Sequence, residues 1–512
     1  MNTKKIKRLA IANRGEVAVR IIRACEELAI ETILLHSEAD IQSRAYRLSK
    51  HKICIGAAAV QESYLNIEAN IRGALAAGAD AIHPGFGFLS ENADFAEACE
   101  KAGLIFVGPS PQAIRSLGDK VNCKILAKKN SIPLVPGYEG ENQQVEFLIT
   151  EVQKIGLPVI VKAAAGGGGR GMKLIRKMEE AQEQIEAAQR EALSAFGSSK
   201  VFLEKYLDRA KHIEFQIFGD SVGHVVHFYD RECSVQRRHQ KIIEEALSPS
   251  LTDDLRQRMG DCAVTLAQAG KYKNAGTVEF LLQDKEFYLL EVNTRLQVEH
   301  PVTELVMGID LVKAQILTAE GQFILSDSAG AQQVARVPKG HAIECRVYAE
   351  NPFQNGIPST GLLGYQHWPE GPGRRFEYGF EAEDTITSYY DPMIAKVIVY
   401  DENRQKAIQK MIVTLQQSVI FGVSTNIPYL LAILRHKEFI MGTMTTRFIE
   451  QNFPEGLTAD HSSASTDLSW QKTLSEKIIS IFPHKSNLGS LTQTSDVNGA
   501  ALSPWLSHWR NI

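Results

Sequence analysis

Glu279 and Glu291 stand on two strand-like segments, Gly276 to Leu282 and Phe287 to Asn293, separated by the polar residues Gln283, Asp284, Lys285 and Glu286. Two apolar runs joined by a short polar segment read as a hairpin. Side chains alternate across a strand with period two, so Glu291, Asn293 and Arg295 start on one face. A turn centred on Lys285 places Glu279 directly across from Glu291, with Cβ atoms about 5 Å apart. Two carboxylates that close repel unless one is protonated or a cation lies between them. Carboxylate oxygens and an Asn carbonyl are hard ligands, suited to Mg²⁺ or Mn²⁺ shared with phosphate oxygens. Taken alone, the pair reads equally well as two solvated edge-strand residues.

A second stretch points to phosphate. Gly166, Gly167, Gly168, Gly169, Arg170 and Gly171 follow Lys162 at the end of a strand. Glycines let backbone N–H groups come close to phosphate oxygens, and the flanking cations add charge. The residues that follow, Met172 to Ile175, are strand-like. The run is therefore neither a dinucleotide fingerprint nor a P-loop. It reads as a hairpin flap over a nucleotide.

The elements that must position these residues alternate. Strand, helix, strand across Leu9–His36, then helix 67–77, strand 81–82, helix 93–102 and strand 104–107, predict a doubly wound parallel sheet closed by Pro109 and Pro111. A helix is expected over 115–130, then a second α/β unit through Glu204 and a strand-rich region from Ile213 to about Leu296. The Ala, Ser and Gln composition near 325–335 suggests a boundary, and strands alternate with helices again over 341–447. The tail from about residue 457 is linker-like. Within it Trp470, Leu474, Ile478, Ile481 and Phe482 mark one helical face.

Gross composition narrows the class. The 512 residues carry a net charge of −4, so no global basic field recruits nucleic acid or an anionic membrane. Seven cysteines without a Cys-x-x-Cys spacing fit a reduced, cytoplasmic protein without structural zinc. No apolar run is long enough for a membrane span, and the start lacks the apolar core of a signal peptide.

Taken in order, several motifs resemble the ATP-grasp biotin carboxylases. They are Ile11 to Glu16, His83 to Asn92, Lys162 to Met172, Glu204 to Leu207, the Glu279/Glu291/Asn293 set, Arg295 to His300, and Tyr390 to Lys396. The resemblance runs from Lys7 to about Phe448. It implies an α/β ATP-grasp fold with an N-terminal Rossmann-like parallel-sheet domain over 1–114. The ATP-grasp domain would span 115–335 with a flap at about 134–205, followed by an α+β C-terminal domain over 336–448 and the tail 449–512. The implied reaction is ATP-dependent carboxylation of biotin with bicarbonate through carboxyphosphate.

The resemblance also implies roles. Lys120, Lys162 and His212 would contact phosphates, with Gly167, Gly168 and Gly169 closing over them. Glu204, Lys205, Tyr206 and Leu207 would read adenine, with Leu281 beside the nucleotide. Gln236, His239 and Lys241 would line the phosphate and bicarbonate site. Glu279 and Glu291 would hold Mg²⁺ with Asn293 beside them. Arg295, Gln297 and Val298 would cradle bicarbonate, Glu299 would be the base, and Arg346 would hold the biotin enolate. The chemistry is consistent: a guanidinium fork grips a planar anion, and a carboxylate within hydrogen-bond reach can take its proton.

Phe86 departs from the family pattern, which often has Tyr there, so a hydroxyl near the biotin pocket is lost. No Ala-Met-Lys-Met biotin acceptor occurs, and there is no room for a carboxyltransferase. The expected partners are therefore a biotin carboxyl carrier protein and carboxyltransferase subunits on other chains, with a homodimer as the family's common assembly. Two other classes compete. One is an ATP-grasp ligase acting on a different carboxylate, which the Arg295–Glu299 cradle and Arg346 speak against. The other is a nucleotide-binding scaffold without turnover, which a missing base or metal ligand would favour.

Overall fold

A computed structural model describes residues 5–163, 172–196, 198–238, 240–322 and 337–458. The expected glycine flap tip, His239 and the aromatic stripe of the tail lie outside the described residues.

Five parallel strands form the first sheet: β1 (Arg8–Ile11), β2 (Glu31–Ser37), β3 (His51–Gly56), β4 (Ala81–His83) and β5 (Ile105–Phe106), in the order β3-β2-β1-β4-β5. Leu9, Ala10 and Ile11 are all fully buried, as expected of a parallel strand covered on both faces. The helix Gly15–Glu27 turns Val17, Ala18, Ile21 and Ile22 inward. Beyond the carboxyl end of β4, Asn13 Nδ2 donates to the carbonyls of Pro84 and Phe86 at 2.6 and 2.8 Å. Gly85 has φ +63° there, and a Cβ on it would sit 2.9 Å from that same amide nitrogen. The loop carrying Phe86 is thus pinned at the end of the sheet where α/β proteins place ligands.

The helix expected over 115–130 is shorter. It spans Lys120–Lys129, with Asp119 accepting from Asn122 N–H at 2.8 Å as its N-cap. Asp119 is extended, so the preceding turns at 111–118 form a separate unit.

A four-stranded antiparallel sheet follows: β6 (Gly137–Tyr138), β7 (Val159–Ala163), β8 (Met172–Ile175) and β9 (Val201–Lys205), in the order β6-β9-β7-β8. It has its own apolar core, with Leu148 and Val152 of one helix and Ile185 and Ala188 of another packed on Val159, Val161 and Leu203.

The largest sheet has eight antiparallel strands. They are β10 (Lys211–Gly219), β11 (Val225–Arg237), β12 (Gln240–Ala246), β13 (Asn274–Gln283), β14 (Glu286–Asn293), β15 (His341–Tyr348), β16 (Arg374–Tyr378) and β17 (Met393–Asp401). Their order is β14-β13-β10-β11-β12-β15-β17-β16. The segment near 325–335 that reads as a boundary therefore separates two strands of one continuous sheet, because β12 pairs with β15. The helix His300–Met307 packs across β11, β12, β15 and β17, with Glu299 at its N-cap position. Among the described residues, no helix is long and apolar enough to cross a membrane.

Candidate active site

Glu279 and Glu291 are direct cross-strand partners on β13 and β14, but not through a turn centred on Lys285. Gln283 pairs with Glu286, so the loop is only Asp284 and Lys285, at φ +51° and +72°. Two positive φ values make the tight hairpin turn whose twist suits antiparallel strands. On that register Glu279 would face Leu290. The register shifts between Phe280, paired with Leu289, and Glu279, paired with Glu291, leaving Leu290 as the extra residue of a bulge.

Lys241 on β12 sits at the centre of the site. Its Nζ lies 2.5 Å from Glu214, 2.7 Å from Glu279 and 2.8 Å from Glu299. Burial disfavours the ammonium, but three carboxylates outweigh it and raise the Lys241 pKa well above its ordinary value. Burial likewise pushes the Glu279 carboxyl up, and Lys241 and His212 overcome it, holding Glu279 well below the usual range. His212 Nε2 is 2.8 Å from Glu279, while its Nδ1 meets the Gln236 side chain at 2.6 Å. Glu214 is also paired with the fully buried Arg231, which donates to Gln216 and Thr303 at 2.8 and 3.0 Å.

Glu299 lies between two cations. One oxygen meets Lys241 and the other accepts from Arg346 Nη2 at 3.0 Å. Burial raises its pKa, but Lys241, Arg346 and Arg231 together hold it well below the usual range. It is therefore an anion at neutral pH, as a proton acceptor must be. Beside it Arg295 donates to Glu91 at 2.9 Å and to Gln297 Oε1 at 3.0 Å. The Val298 carbonyl accepts from Lys396 at 2.9 Å.

A cavity of about 650 Å³ opens onto Arg295, Val298 and Arg346, with Arg14, Phe86 and Tyr390 among its walls. Phe86 thus faces the same space as Arg346. A second crevice of about 640 Å³ lies between the small sheet and the end of the helix Phe448–Asn452. Ile160, Met172, Tyr206 and Gln236 line it, which suits a planar base.

The remaining expected residues divide. Lys162 is ion-paired to Glu204, and Lys120 reaches Glu291 at 2.9 Å. Tyr206 lines the second crevice, Leu207 follows it half-buried, and Leu281 pairs with His212 across β10 and β13. Lys205 turns away: its Nζ donates to the carbonyls of Gly156 and Leu157 at 2.7 and 2.8 Å. Any adenine contact there falls to its backbone. Asn293 Nδ2 donates to Glu279 at 2.8 Å, and its Oδ1 accepts from Arg295 Nη2 at 3.3 Å. Of the expected metal set, the two glutamates therefore present the hard oxygens, and Asn293 bridges. That donor set fits Mg²⁺ or Mn²⁺.

Sequence reasoning singles out neither Glu214 nor Arg231, and reaches Glu91 only as part of the His83–Asn92 motif, without a role. A signal existed for Glu214: His212, Glu214 and Gln216 fall at period two in a strand whose other positions are Ile213, Phe215 and Ile217. All six are buried, so three polar side chains share a covered face.

Comparison with known proteins places this geometry. Residues 5–114 match the biotin carboxylase N-terminal domain, 119–326 the carbamoyl-phosphate synthase L chain ATP-binding domain, and 344–451 the biotin carboxylase C-terminal domain. Biotin carboxylase 1 of Bacillus subtilis is 45% identical over 447 residues, covering 87% of this chain and 98% of its own. The mitochondrial methylcrotonoyl-CoA carboxylase subunit alpha of Glycine max is 45% identical over 90% of this chain, which spans only 63% of that relative. A biotin carboxylase–βγ-ATP complex from Campylobacter jejuni superposes with a TM-score of 0.79 at 40% identity, covering 88% of this chain and 99% of that one. The biotin carboxylase domain of a thermophilic 2-oxoglutarate carboxylase bound to bicarbonate gives 0.83 at 39% identity, covering 89% of this chain and 100% of that one. The chain belongs to the biotin carboxylase family, the ATP-grasp enzymes that carboxylate biotin in the first half-reaction of biotin-dependent carboxylases.

Proposed function

We propose that this chain carries out that half-reaction with Glu299 as the base. The observation that carries the reading is Glu299 held between Lys241 and Arg346, beside the cavity that Arg295 and Val298 also face. Arg295 and Gln297 orient bicarbonate, and Glu299 takes its proton. The resulting oxyanion attacks the γ-phosphate, giving carboxyphosphate and ADP. Lys120, Lys162, Lys241 and His212 bind and steady phosphate oxygens. Glu279 and Glu291 would hold Mg²⁺ or Mn²⁺, which when bound shares the phosphate charge. Carboxyphosphate then releases CO₂, the leaving phosphate takes the N1′ proton of biotin, Arg346 offsets the charge on the ureido oxygen, and N1′ attacks CO₂ to form carboxybiotin.

The domain limits at 114, 335 and 448 belong to this reading. So do Tyr206, Leu207 and the Glu204 and Lys205 backbone as the adenine contacts, with Ile160 and Met172 as walls. Biotin arrives free or on a carrier protein, and a carboxyltransferase subunit uses the product. An acyl-CoA is the proposed class of acceptor, supported by the methylcrotonoyl-CoA carboxylase relatives. The cytoplasm and a homodimer are the proposed setting. Glu299→Gln tests the assignment. Turnover should fall about 10²-fold or more, the usual contribution of a positioned base, with the KM for ATP within about threefold. A collapse of ATP binding with unchanged turnover at saturation would remove Glu299 from that role.

A further inference from the structure

Glu244 on β12 and Glu344 on β15 are direct register partners. Both are fully buried. Neither oxygen of Glu344, nor Oε2 of Glu244, has a hydrogen-bond partner among the described residues. Arg346, two residues along β15 from Glu344 on the same face, brings its Nη2 to 2.6 Å from Glu244 Oε1. That same Nη2 is 3.0 Å from Glu299. The cation proposed to meet biotin is therefore held from behind by a pair of acids that the reaction does not otherwise use.

Two facing carboxylates in a dry site do not both ionise; they retain one proton between them. We propose that Glu244 and Glu344 form such a proton-sharing pair and act as positioning residues for Arg346. With one proton the pair carries a single charge, enough to orient the guanidinium while leaving its other side for Glu299 and the substrate oxygen. With the proton lost, a second buried anion draws Arg346 away from the cavity. This inference rests on the assignment of Arg346 to biotin.

The surroundings agree. Lys241 shares β12 with Glu244, and Lys396 on β17 is the register partner of Arg346. The helix His300–Met307 covers this face, bringing Glu299 at its head and His300 in its first turn. Burial pushes the Glu244 carboxyl up to about 7, with Arg346 pulling the other way. Burial pushes Glu344 well above the usual range, against Lys396. His300 stays neutral, driven down chiefly by burial. Ala246, Ala342 and Ile398 surround the pair and keep it dry.

The test is the KM for free biotin from pH 6 to 9 in the wild type and in Glu344→Gln, with the KM for ATP as control. An amide imitates the protonated carboxyl but cannot lose its proton. The wild-type KM for biotin should rise at least fivefold across the alkaline range, while that of Glu344→Gln changes less than twofold. The KM for ATP should follow one curve in both. Superimposable biotin curves from two folded proteins would overturn the proposal. If the wild type shows no biotin-stimulated turnover, the failure lies with the assignment of the reaction. Should Glu344→Gln not fold, infrared difference spectra of the wild type against Glu244→Gln replace it. A protonated-carboxyl band at neutral pH, lost in the variant, supports the pair, and no such band refutes it.

Discussion

The side-chain ammonium of Lys396 donates to the backbone carbonyl of Val298 at 2.9 Å. Lys396 comes from β17 and is fully buried, and it also lies 2.7 Å from Glu377 and 3.2 Å from Glu16. One amine thus ties the loop that carries Arg295 and Val298 to the first helix and to the end of the large sheet. Burial opposes its charge, but Glu16 and Glu377 prevail and keep it protonated.

Removing one partner of a buried ion pair leaves an unpaired charge, at a cost of about 3–5 kcal/mol. Lys396→Met should therefore destabilise the protein by about that amount and loosen Val298. Urea denaturation monitored by circular dichroism measures the first effect. A loss below about 1 kcal/mol, the range of exposed pairs, would mean that Lys396 is not the tie described.

Acid should act through Glu299. Its folded pKa is depressed below the ordinary value of 4.5. A depressed carboxyl stabilises the fold fully above its unfolded value and loses that contribution as pH falls through the folded value. Glu299→Gln should accordingly be less stable than the wild type at pH 7, and the gap should close as pH drops below about 4.5. Denaturation midpoints at several pH values decide this. A gap independent of pH would show that the carboxylate charge contributes nothing.

Phe86 gives a gain-of-function test. Its ring lines the cavity shared with Arg346, 5.9 Å from the Lys396 amine. A hydroxyl there could regain one hydrogen bond, worth about 0.5–1.5 kcal/mol. Phe86→Tyr should lower the KM for free biotin about two- to tenfold and leave the KM for ATP alone. An unchanged biotin KM would place position 86 away from the substrate.

Much of the site was legible in sequence, and the exceptions have physical causes. Glu279 faces Glu291 as the sequence implies although the loop is one residue shorter than a turn centred on Lys285, because the bulge at Leu290 restores what the tighter turn removes. Alternating patterns reveal faces, but neither bulges nor the amide orientation of Asn293. Lys205 lies within a recognisable motif, yet its amine serves two backbone carbonyls, since a long side chain follows the nearest buried acceptors. The Arg295–Glu91 contact joins residues 204 positions apart. No local pattern encodes such a pair; it follows from how the first sheet packs on the large one.

The most direct test of the account is phosphate release from ATP by the purified chain with Mg²⁺ and bicarbonate, with and without free biotin. Release should depend on bicarbonate and be accelerated by biotin, with the acceleration abolished in Glu299→Gln. Release indifferent to biotin in a protein that binds ATP would contradict it.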